Sequence, residues 1–189
     1  MKVIQLHQEE KQLIMLAVEN NRQAQQQIYA KFSSKMLSVC RQYIKDIHHA
    51  EDVMITRFMK VFTNLKNFEH KGSFEGWIRR IMVYECIDFL RVKKNNFNHQ
   101  DIDDVTVSEN ESVYEMEDFS VDDIQNMIDN LPDGYKMVFN LYAIEGYKHQ
   151  EIAEMLKISE GTSKSQLSHA RKLLQQQITD LKNKLNGTK

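Results

Sequence analysis

The residues best suited to a specific chemistry lie in one segment, YKHQEIAEMLKISEGTSKSQLSHARKLL, from Tyr147 to Leu174. Amides, hydroxyls and basic groups recur in its second half, and such groups hydrogen-bond base edges and phosphates in the DNA major groove. The spacing directs the following side chains outward: Thr162, Lys164, Ser165, Gln166, Ser168, His169, Arg171 and Lys172. The segment predicts duplex DNA binding by a helix-turn-helix, and the alternative is a helical hairpin with a solvated outer face.

Two helices and a short turn must position that outer face. Ser159 has the side chain of a helix N-cap, so the second helix is expected to begin directly after it. The buried faces are expected at Ile152, Ala153 and Leu156 in the first helix, and at Leu167, Ala170 and Leu174 in the second.

A second group with nucleic-acid chemistry lies on a helix predicted from Phe74 to Lys94, where Trp77 stands beside Arg79 and Arg80. Aromatic rings stack on unpaired bases while guanidinium groups neutralise phosphates, so this helix could hold a single strand. The cluster also includes Tyr84, Arg91, Lys93 and Lys94. A core tryptophan flanked by solvated arginines is the alternative.

The preceding helix, predicted from Ala50 to about Asn67, is apolar over a wide arc because Ile55 and Met59 flank its inner stripe. Such a helix is either buried on two sides or offers a docking face to another protein, and the pattern alone favours burial. The composition predicts short turns on either side, at His48 and His49 and at Phe68 to Ser73.

Composition indicates an almost wholly helical protein, because the 189 residues include one proline and six glycines. We predict an all-α fold of two small helical domains. These are an N-terminal helical bundle over residues 9–95 and a C-terminal helix-turn-helix domain over 121–185, joined by an acidic flexible linker over 96–120.

Charge is strongly segregated along the chain. Residues 101–129 hold eleven acidic and no basic side chains, which leaves 16 acidic residues against all 25 basic ones elsewhere. Basic surfaces attract phosphates at long range. The acidic segment could in turn occupy a channel that binds nucleic acid. A solvated, disordered linker is an equally good interpretation of the acidic segment.

Several function classes find no support in the sequence. Nothing near its N-terminus resembles a signal peptide, and no apolar run approaches the ~20 residues of a membrane span. It shows no Cys/His cluster and no glycine-rich phosphate loop. Cys40 and Cys86 are expected to be buried free thiols of a cytoplasmic protein. We therefore expect no enzyme activity, no metal and no cofactor.

Taken together, the motifs resemble the sigma factors of bacterial RNA polymerase, specifically the two-domain extracytoplasmic-function group. The resemblance covers about residues 10–95 and 121–180 in the family's order. The matching motifs are AEDVMITRFMKVF, FEGWIRRI, the Asp88 to Arg91 pairing in DFLR, LPDGYKMVFNLYAIEGYKHQEIAEML and GTSKSQLSHARKLL.

The resemblance implies a partner for each region. The core polymerase would bind Asp52, Ile55, Met59, Lys60 and Phe62. The loop from Phe68 to Glu75 would take a flipped base of the −10 element. The residues implied to contact the −10 element are Phe68, His70, Lys71, Trp77, Arg79, Arg80, Arg91, Lys93 and Lys94. The outward residues of the second helix would read the −35 element as duplex, the linker would thread the polymerase cleft, and an anti-sigma factor is a further candidate partner.

The sequence departs from the family pattern at several positions. The family usually has a polar residue at position 55, asparagine at 84, glycine at 157 and an aliphatic residue at 163, where this chain has Ile55, Tyr84, Lys157 and Ser163. Basic residues are common at positions 166 and 169, so the −35 contact is expected to be weaker or differently specific.

Two other functions remain as alternatives. A stand-alone helix-turn-helix regulator would be expected to dimerise on a two-fold DNA site, and the sequence lacks a long heptad seam. A helical adaptor without a DNA role is disfavoured by the excess of basic residues outside the acidic segment.

Overall fold

The computed structural model describes residues 2–96 and 119–186, with side chains over 9–92 and 119–184. These residues form α-helices, one 3-10 turn and one π turn, and no strand occurs among them. They belong to two compact units, Met1–Asn95 and Asn96–Lys189. The predicted all-α fold is therefore confirmed, whereas most of the predicted linker, residues 97–118, lies outside the described residues.

The first unit contains four helices: α1 (Lys2–Val18), α2 (Arg22–Tyr43), α3 (Ile47–Asn64) and α4 (Phe74–Asn96). A 3-10 turn, Leu65–Asn67, ends α3. Asn21 caps α2 by accepting a hydrogen bond from the Ala24 N–H at 3.1 Å. This helix thus begins where a side-chain oxygen satisfies a free backbone N–H group.

The core of this unit is built from large side chains of α2, α3 and α4. Phe58 of α3 packs edge-on against Tyr29, and Phe32 against Phe74, with ring centroids 4.9 and 5.6 Å apart. Cys40 and Cys86 are both buried free thiols, as predicted. A hydrogen bond with Cys40, and then burial, raises the pKa of Cys86, so the Cys86 thiol stays protonated and packs as an apolar group.

The prediction of a turn at His48 and His49 is wrong, because both residues lie in the first turn of α3. The helix begins earlier than its apolar pattern because Asp46 caps it, accepting from the His49 N–H at 2.9 Å. That hydrogen bond also lowers the pKa of Asp46.

The second unit contains α5 (Val121–Asp129), α6 (Asp133–Phe139), α7 (His149–Leu156) and α8 (Glu160–Asn186), with a π turn at Asn140–Ile144 after α6. α5 opens with a capping box, in which Ser120 and Asp123 each accept from the other's backbone N–H at 3.1 Å. The side-chain hydrogen bond from Ser120 is the main cause of the lowered pKa of Asp123.

An ion pair lies inside the second unit. Asp129 at the end of α5 faces Lys136 of α6, with Oδ1 and Nζ 3.6 Å apart and both side chains almost fully buried. Asp129 is the last acid of the acidic segment in the sequence, and the structure makes it part of a domain interior. Over the described residues, no helix is long and apolar enough to cross a membrane.

Candidate nucleic-acid and protein-docking sites

The corner of the helix-turn-helix depends on a left-handed residue. Lys157 ends α7 with φ 57° and ψ 46°, and its N–H donates to the Ala153 carbonyl. Ser159 then caps α8, since its Oγ accepts from the Thr162 N–H at 2.9 Å. The predicted N-cap is confirmed, and the positive φ explains why a glycine is favourable at position 157.

A polar contact joins α7 to α8 behind this corner. Ser163 is fully buried, and its Oγ lies 2.9 Å from His149 Nδ1. The His149 ring stacks on Tyr142, with centroids 4.6 Å apart. Arg171 lies over the same tyrosine ring, its guanidinium carbon 5.7 Å from the centroid. The side chain of Arg171 therefore serves packing within the domain as well as facing solvent.

Half of the predicted outer face of α8 is open to solvent: Lys164, Ser165, Ser168 and Arg171 are exposed. Lys164 pairs with Glu160 one turn earlier, with Nζ and Oε1 2.6 Å apart, and this contact lowers the pKa of Glu160. A phosphate would compete with that exposed pair, which contributes little energy to hold the lysine in place.

The other half of the predicted face is half-buried and includes Thr162, Gln166, His169 and Lys172. His169 stacks on Tyr135 of α6, with centroids 5.5 Å apart. Gln166 lies against Gly134, where a Cβ would come within 3.2 Å of the amide nitrogen. The expectation that all eight side chains point outward is thus wrong for Gln166 and His169, because α6 packs on that side of α8.

The expectation that α3 buries its wide apolar arc is also wrong. Ile55 is 48% exposed and Met59 is 64% exposed, although both lie between buried positions of the same helix. Asp52, one turn before Ile55, is exposed as well. These three residues recur at i, i+3 and i+7, so they share one face, and the structure of this unit leaves that face uncovered.

Two other residues expected on the docking surface face elsewhere. Phe62 is half-buried and lies beside Phe58, with ring centroids 6.0 Å apart. Lys60 donates to the carboxylate of Glu85 on α4, with Nζ and Oε1 2.7 Å apart. The exposed apolar face of α3 is therefore narrower than the set of residues predicted to bind the polymerase.

The predicted base-binding loop contains a core residue. Phe68 is only 8% exposed and contacts Phe74 and Trp77, with centroids 5.1 and 5.5 Å away. Of the loop residues predicted to contact the −10 element, His70, with φ 58°, and Lys71 are exposed. We therefore expect Phe68 to anchor the loop by packing in the core and not to contact a base itself.

Trp77 is half-buried and stacks on Phe74 with an interplanar angle of 15°. Trp77 also lines a cavity of about 320 Å³ between the end of α3 and α4. The cavity is lined by Lys60, Asn64, Asn67, Trp77, Arg80, Ile81, Tyr84 and Glu85. Of the predicted cluster, the fold therefore brings together Trp77, Arg80 and Tyr84, with Arg80 5.9 Å from the Tyr84 ring centroid.

Two further residues of the cluster, Arg79 and Arg91, are not among those that line the cavity. Arg91 pairs with Asp88, with Nη1 and Oδ1 2.8 Å apart, as the DFLR motif predicts. Arg79 is half-buried. Lys93 and Lys94 lie in α4, but their side chains are outside the described ones.

Sequence reasoning missed Asn64, Asn67 and Glu85. A signal existed, because positions 60 and 64 on α3, 67 in the 3-10 turn that follows, and 77, 81, 84 and 85 on α4 recur at helical spacing. What the pattern could not show is that these two faces meet, since neither is predominantly apolar. Among the described residues, no group of three or more His, Cys, Asp or Glu side chains could hold a metal ion.

Comparisons with known proteins agree over both units. Residues 28–96 match the family model for sigma-70 region 2, and residues 121–174 match the model for sigma-70 region 4. The extracytoplasmic-function sigma factor SigW of Bacillus subtilis strain 168 is 29% identical over 163 residues, which cover 79% of this chain and 86% of SigW. SigE of Mycolicibacterium smegmatis is 30% identical over 132 residues, covering 67% of this chain and 51% of SigE.

A solved structure shares the fold. The sigma factor RpoE in its complex with the anti-sigma factor NepR, from Bartonella quintana, matches with a TM-score of 0.53 and 18% identity, over 82% of this chain and 96% of that one. Two family models in the expected order, relatives that match over most of this chain and a shared two-domain helical fold lead to one conclusion. The chain belongs to the extracytoplasmic-function group of the sigma-70 family and is a sigma factor that directs transcription initiation.

Proposed function

We propose that this sigma factor binds core RNA polymerase through the exposed face of α3 formed by Asp52, Ile55 and Met59. The observation that carries the proposal is the exposure of Ile55 and Met59 on an otherwise well-packed helix. Exposed apolar side chains of this size are costly in water, and a protein partner that covers them gains the free energy of their burial. Because its partner is the core polymerase, the protein would act in the cytoplasm, as a regulatory and non-catalytic subunit.

The two DNA elements are assigned to different units. The cavity lined by Trp77, Arg80 and Tyr84, with the exposed His70 and Lys71, would hold the opened strand of the −10 element. Aromatic and guanidinium groups at one place suit unstacked bases and their phosphates. In the second unit, the exposed Lys164, Ser165, Ser168 and Arg171 of α8 would contact the −35 duplex. The half-buried Gln166 and His169 would contribute less to that contact.

An anti-sigma factor is proposed as a regulatory partner. RpoE of Bartonella quintana has been solved with such a protein, NepR, and its fold is similar to that of this chain. A protein that covered the Ile55 and Met59 face would prevent polymerase binding without any change in the helices.

The experiment is transcription by purified core polymerase, with and without this chain, on a library of bacterial promoters. We expect specific start sites only when the chain is present, with shared motifs near positions −10 and −35. If the chain instead represses or activates transcription by an already complete holoenzyme from duplex sites, it is a stand-alone regulator. No effect on either reaction would contradict both functions.

A further inference from the structure

Glu85 is a nearly buried acid held between two bases of another helix. Its side chain on α4 is only 10% exposed. Arg57 Nε lies 3.0 Å from its Oε2 and Lys60 Nζ lies 2.7 Å from its Oε1, and both bases belong to α3. A carboxylate removed from water to this extent is tolerated only when ionic partners replace its hydration. The contact therefore fixes the position of both basic side chains relative to α4.

The geometry of α3 separates these bases from the proposed docking face. Asp52, Ile55 and Met59 recur at i, i+3 and i+7 and share one face, whereas Arg57, Lys60 and Asn64 recur in the same way on another. Lys60 and Asn64 line the cavity that also contains Trp77 and Arg80. Lys60 is thus directed towards α4 and not towards the partner that would cover Ile55 and Met59.

Lys60 keeps the capacity to bind an anion while it pairs with Glu85. An ammonium has three donors, and Glu85 accepts one hydrogen bond from it. The Lys60 side chain is 49% exposed, so its remaining donors can reach a ligand at the mouth of the cavity. Without the carboxylate, a lysine stem with four rotatable bonds would sample many positions, and most of them would point into solvent.

We propose that Glu85 is a positioning residue for strand opening, which holds the Lys60 ammonium at the cavity as a phosphate contact for the opened strand. The inference rests on the proposed function and deepens it. Lys60, which the family resemblance placed among the polymerase-binding residues, is here assigned to the residues that contact DNA. Glu85 acts through Lys60 without touching DNA. Arg57 neutralises the second carboxylate oxygen, so the charge on Glu85 does not repel the phosphate.

The experiment compares holoenzymes assembled from core polymerase and variants of the full chain. Lys60→Gln removes the ammonium, Lys60→Arg retains a cation, and Glu85→Gln keeps the shape of the acid without its charge. Lys66→Gln is the matched control, because Lys66 is an exposed lysine of the adjoining 3-10 turn and is not among the cavity residues. Core affinity, open-complex formation on duplex promoter, and binding of a single-stranded −10 oligonucleotide are measured for each.

We expect Lys60→Gln to bind core polymerase within about two-fold of the parent and to form open complexes about ten-fold more slowly, as for the loss of one charged hydrogen bond. The slope of log affinity against log salt for the oligonucleotide should become shallower by about 0.7, the value for one phosphate of a single strand. Lys60→Arg should restore most of the opening rate, and Lys66→Gln should change none of these quantities.

Glu85→Gln tests the positioning role. Glu85→Gln should reduce the rate of open-complex formation less than Lys60→Gln does. The double variant should form open complexes no more slowly than Lys60→Gln alone, because Glu85 acts through the lysine. A purely structural brace would give additive losses together with a lower melting temperature, and that result would overturn the role of Glu85. Where Glu85→Gln fails to fold, the Lys60→Gln and Lys60→Arg pair still decides whether the ammonium contacts the strand.

Two further outcomes separate this inference from the proposed function. If Lys60→Gln weakens core binding while the preformed holoenzyme opens DNA at the parent rate, Lys60 belongs to the docking surface and the inference is wrong. If the parent chain itself supports no promoter opening with core polymerase, the proposed function fails, and the inference fails with it.

Discussion

The imidazole Nδ1 of His149 lies 2.9 Å from the hydroxyl oxygen of Ser163, and this contact joins the two helices of the helix-turn-helix. Ser163 stands in the fully buried interior of the unit, whereas His149 is half-buried at the start of α7. A polar pair therefore occupies a place where two apolar side chains could meet.

Removing the histidine should cost more than removing the serine. His149→Ala leaves a buried hydroxyl without this partner, which costs about 1–3 kcal/mol of unfolding free energy. Ser163→Val leaves a half-buried imidazole that water can still reach, so we expect a loss below about 1 kcal/mol. The double variant should be more stable than His149→Ala alone. Hydrogen exchange of the α7 and α8 amides measures these values, and strictly additive changes would contradict the coupling.

Lys157→Gly should stabilise the second unit. The lysine holds φ 57°, which disfavours a side chain with a Cβ, and the relief outweighs the extra entropy of glycine by about 0.5–1 kcal/mol. The same exchange measurement reports the change. As a control, Lys164→Gly places glycine inside α8 and should destabilise it by about 1 kcal/mol. A loss of stability in Lys157→Gly would show that the lysine side chain makes a compensating contact.

For the buried pair of Asp129 and Lys136, we expect replacement of the lysine alone to destabilise the unit more than replacement of both residues. Lys136→Met alone leaves a carboxylate in the interior and should cost about 3–5 kcal/mol, enough to unfold much of the unit. Adding Asp129→Leu removes that buried carboxylate and should restore most of that loss. Denaturant unfolding followed by circular dichroism compares the two variants. Equal stability of the single and double variants would mean that the charge is relieved in another way.

Ile55→Asp and Met59→Asp should weaken binding of core polymerase strongly, because each puts a charge into the proposed apolar contact. Since both side chains are exposed, helicity and melting temperature should remain those of the parent. Met15→Asp is the control: Met15 is 63% exposed on α1, outside the proposed face, and its substitution should leave the affinity unchanged. Parent-like affinity of Ile55→Asp in a pull-down would count against the docking role of α3.

Trp77→Ala should impair promoter opening more on duplex templates than on templates with a pre-melted bubble. Stacking of one base on an aromatic ring contributes about 1–3 kcal/mol, which offsets part of the cost of unstacking that base from the duplex. Because Trp77 also stacks on Phe74, the comparison needs a temperature at which the variant is still folded. An equal proportional loss on both templates would assign Trp77 to packing alone.

The sequence by itself determined the helices, their order and the family. Apolar residues at i, i+3 and i+4 mark a helix wherever it packs, and Ser159 is an N-cap because its side chain serves backbone groups only three residues away. The motifs around Trp77 and Lys164 are likewise local in the chain, so residue types and spacing alone indicate their chemistry. The apolar pattern did not predict that His48 and His49 are helical, because the cap at Asp46 starts α3 before that pattern begins.

Only the tertiary structure decided which faces are covered. Ile55 and Phe68 are both apolar, yet the packing of the first unit leaves Ile55 exposed and buries Phe68. The predicted outward direction of Gln166 and His169 is wrong for the same reason, since α6 covers that side of α8. The contact of Glu85 with Lys60 spans 25 residues and two helices. Burial and charge pairing depend on what lies across the interface, and a helical pattern specifies only which residues share a face, not what that face meets.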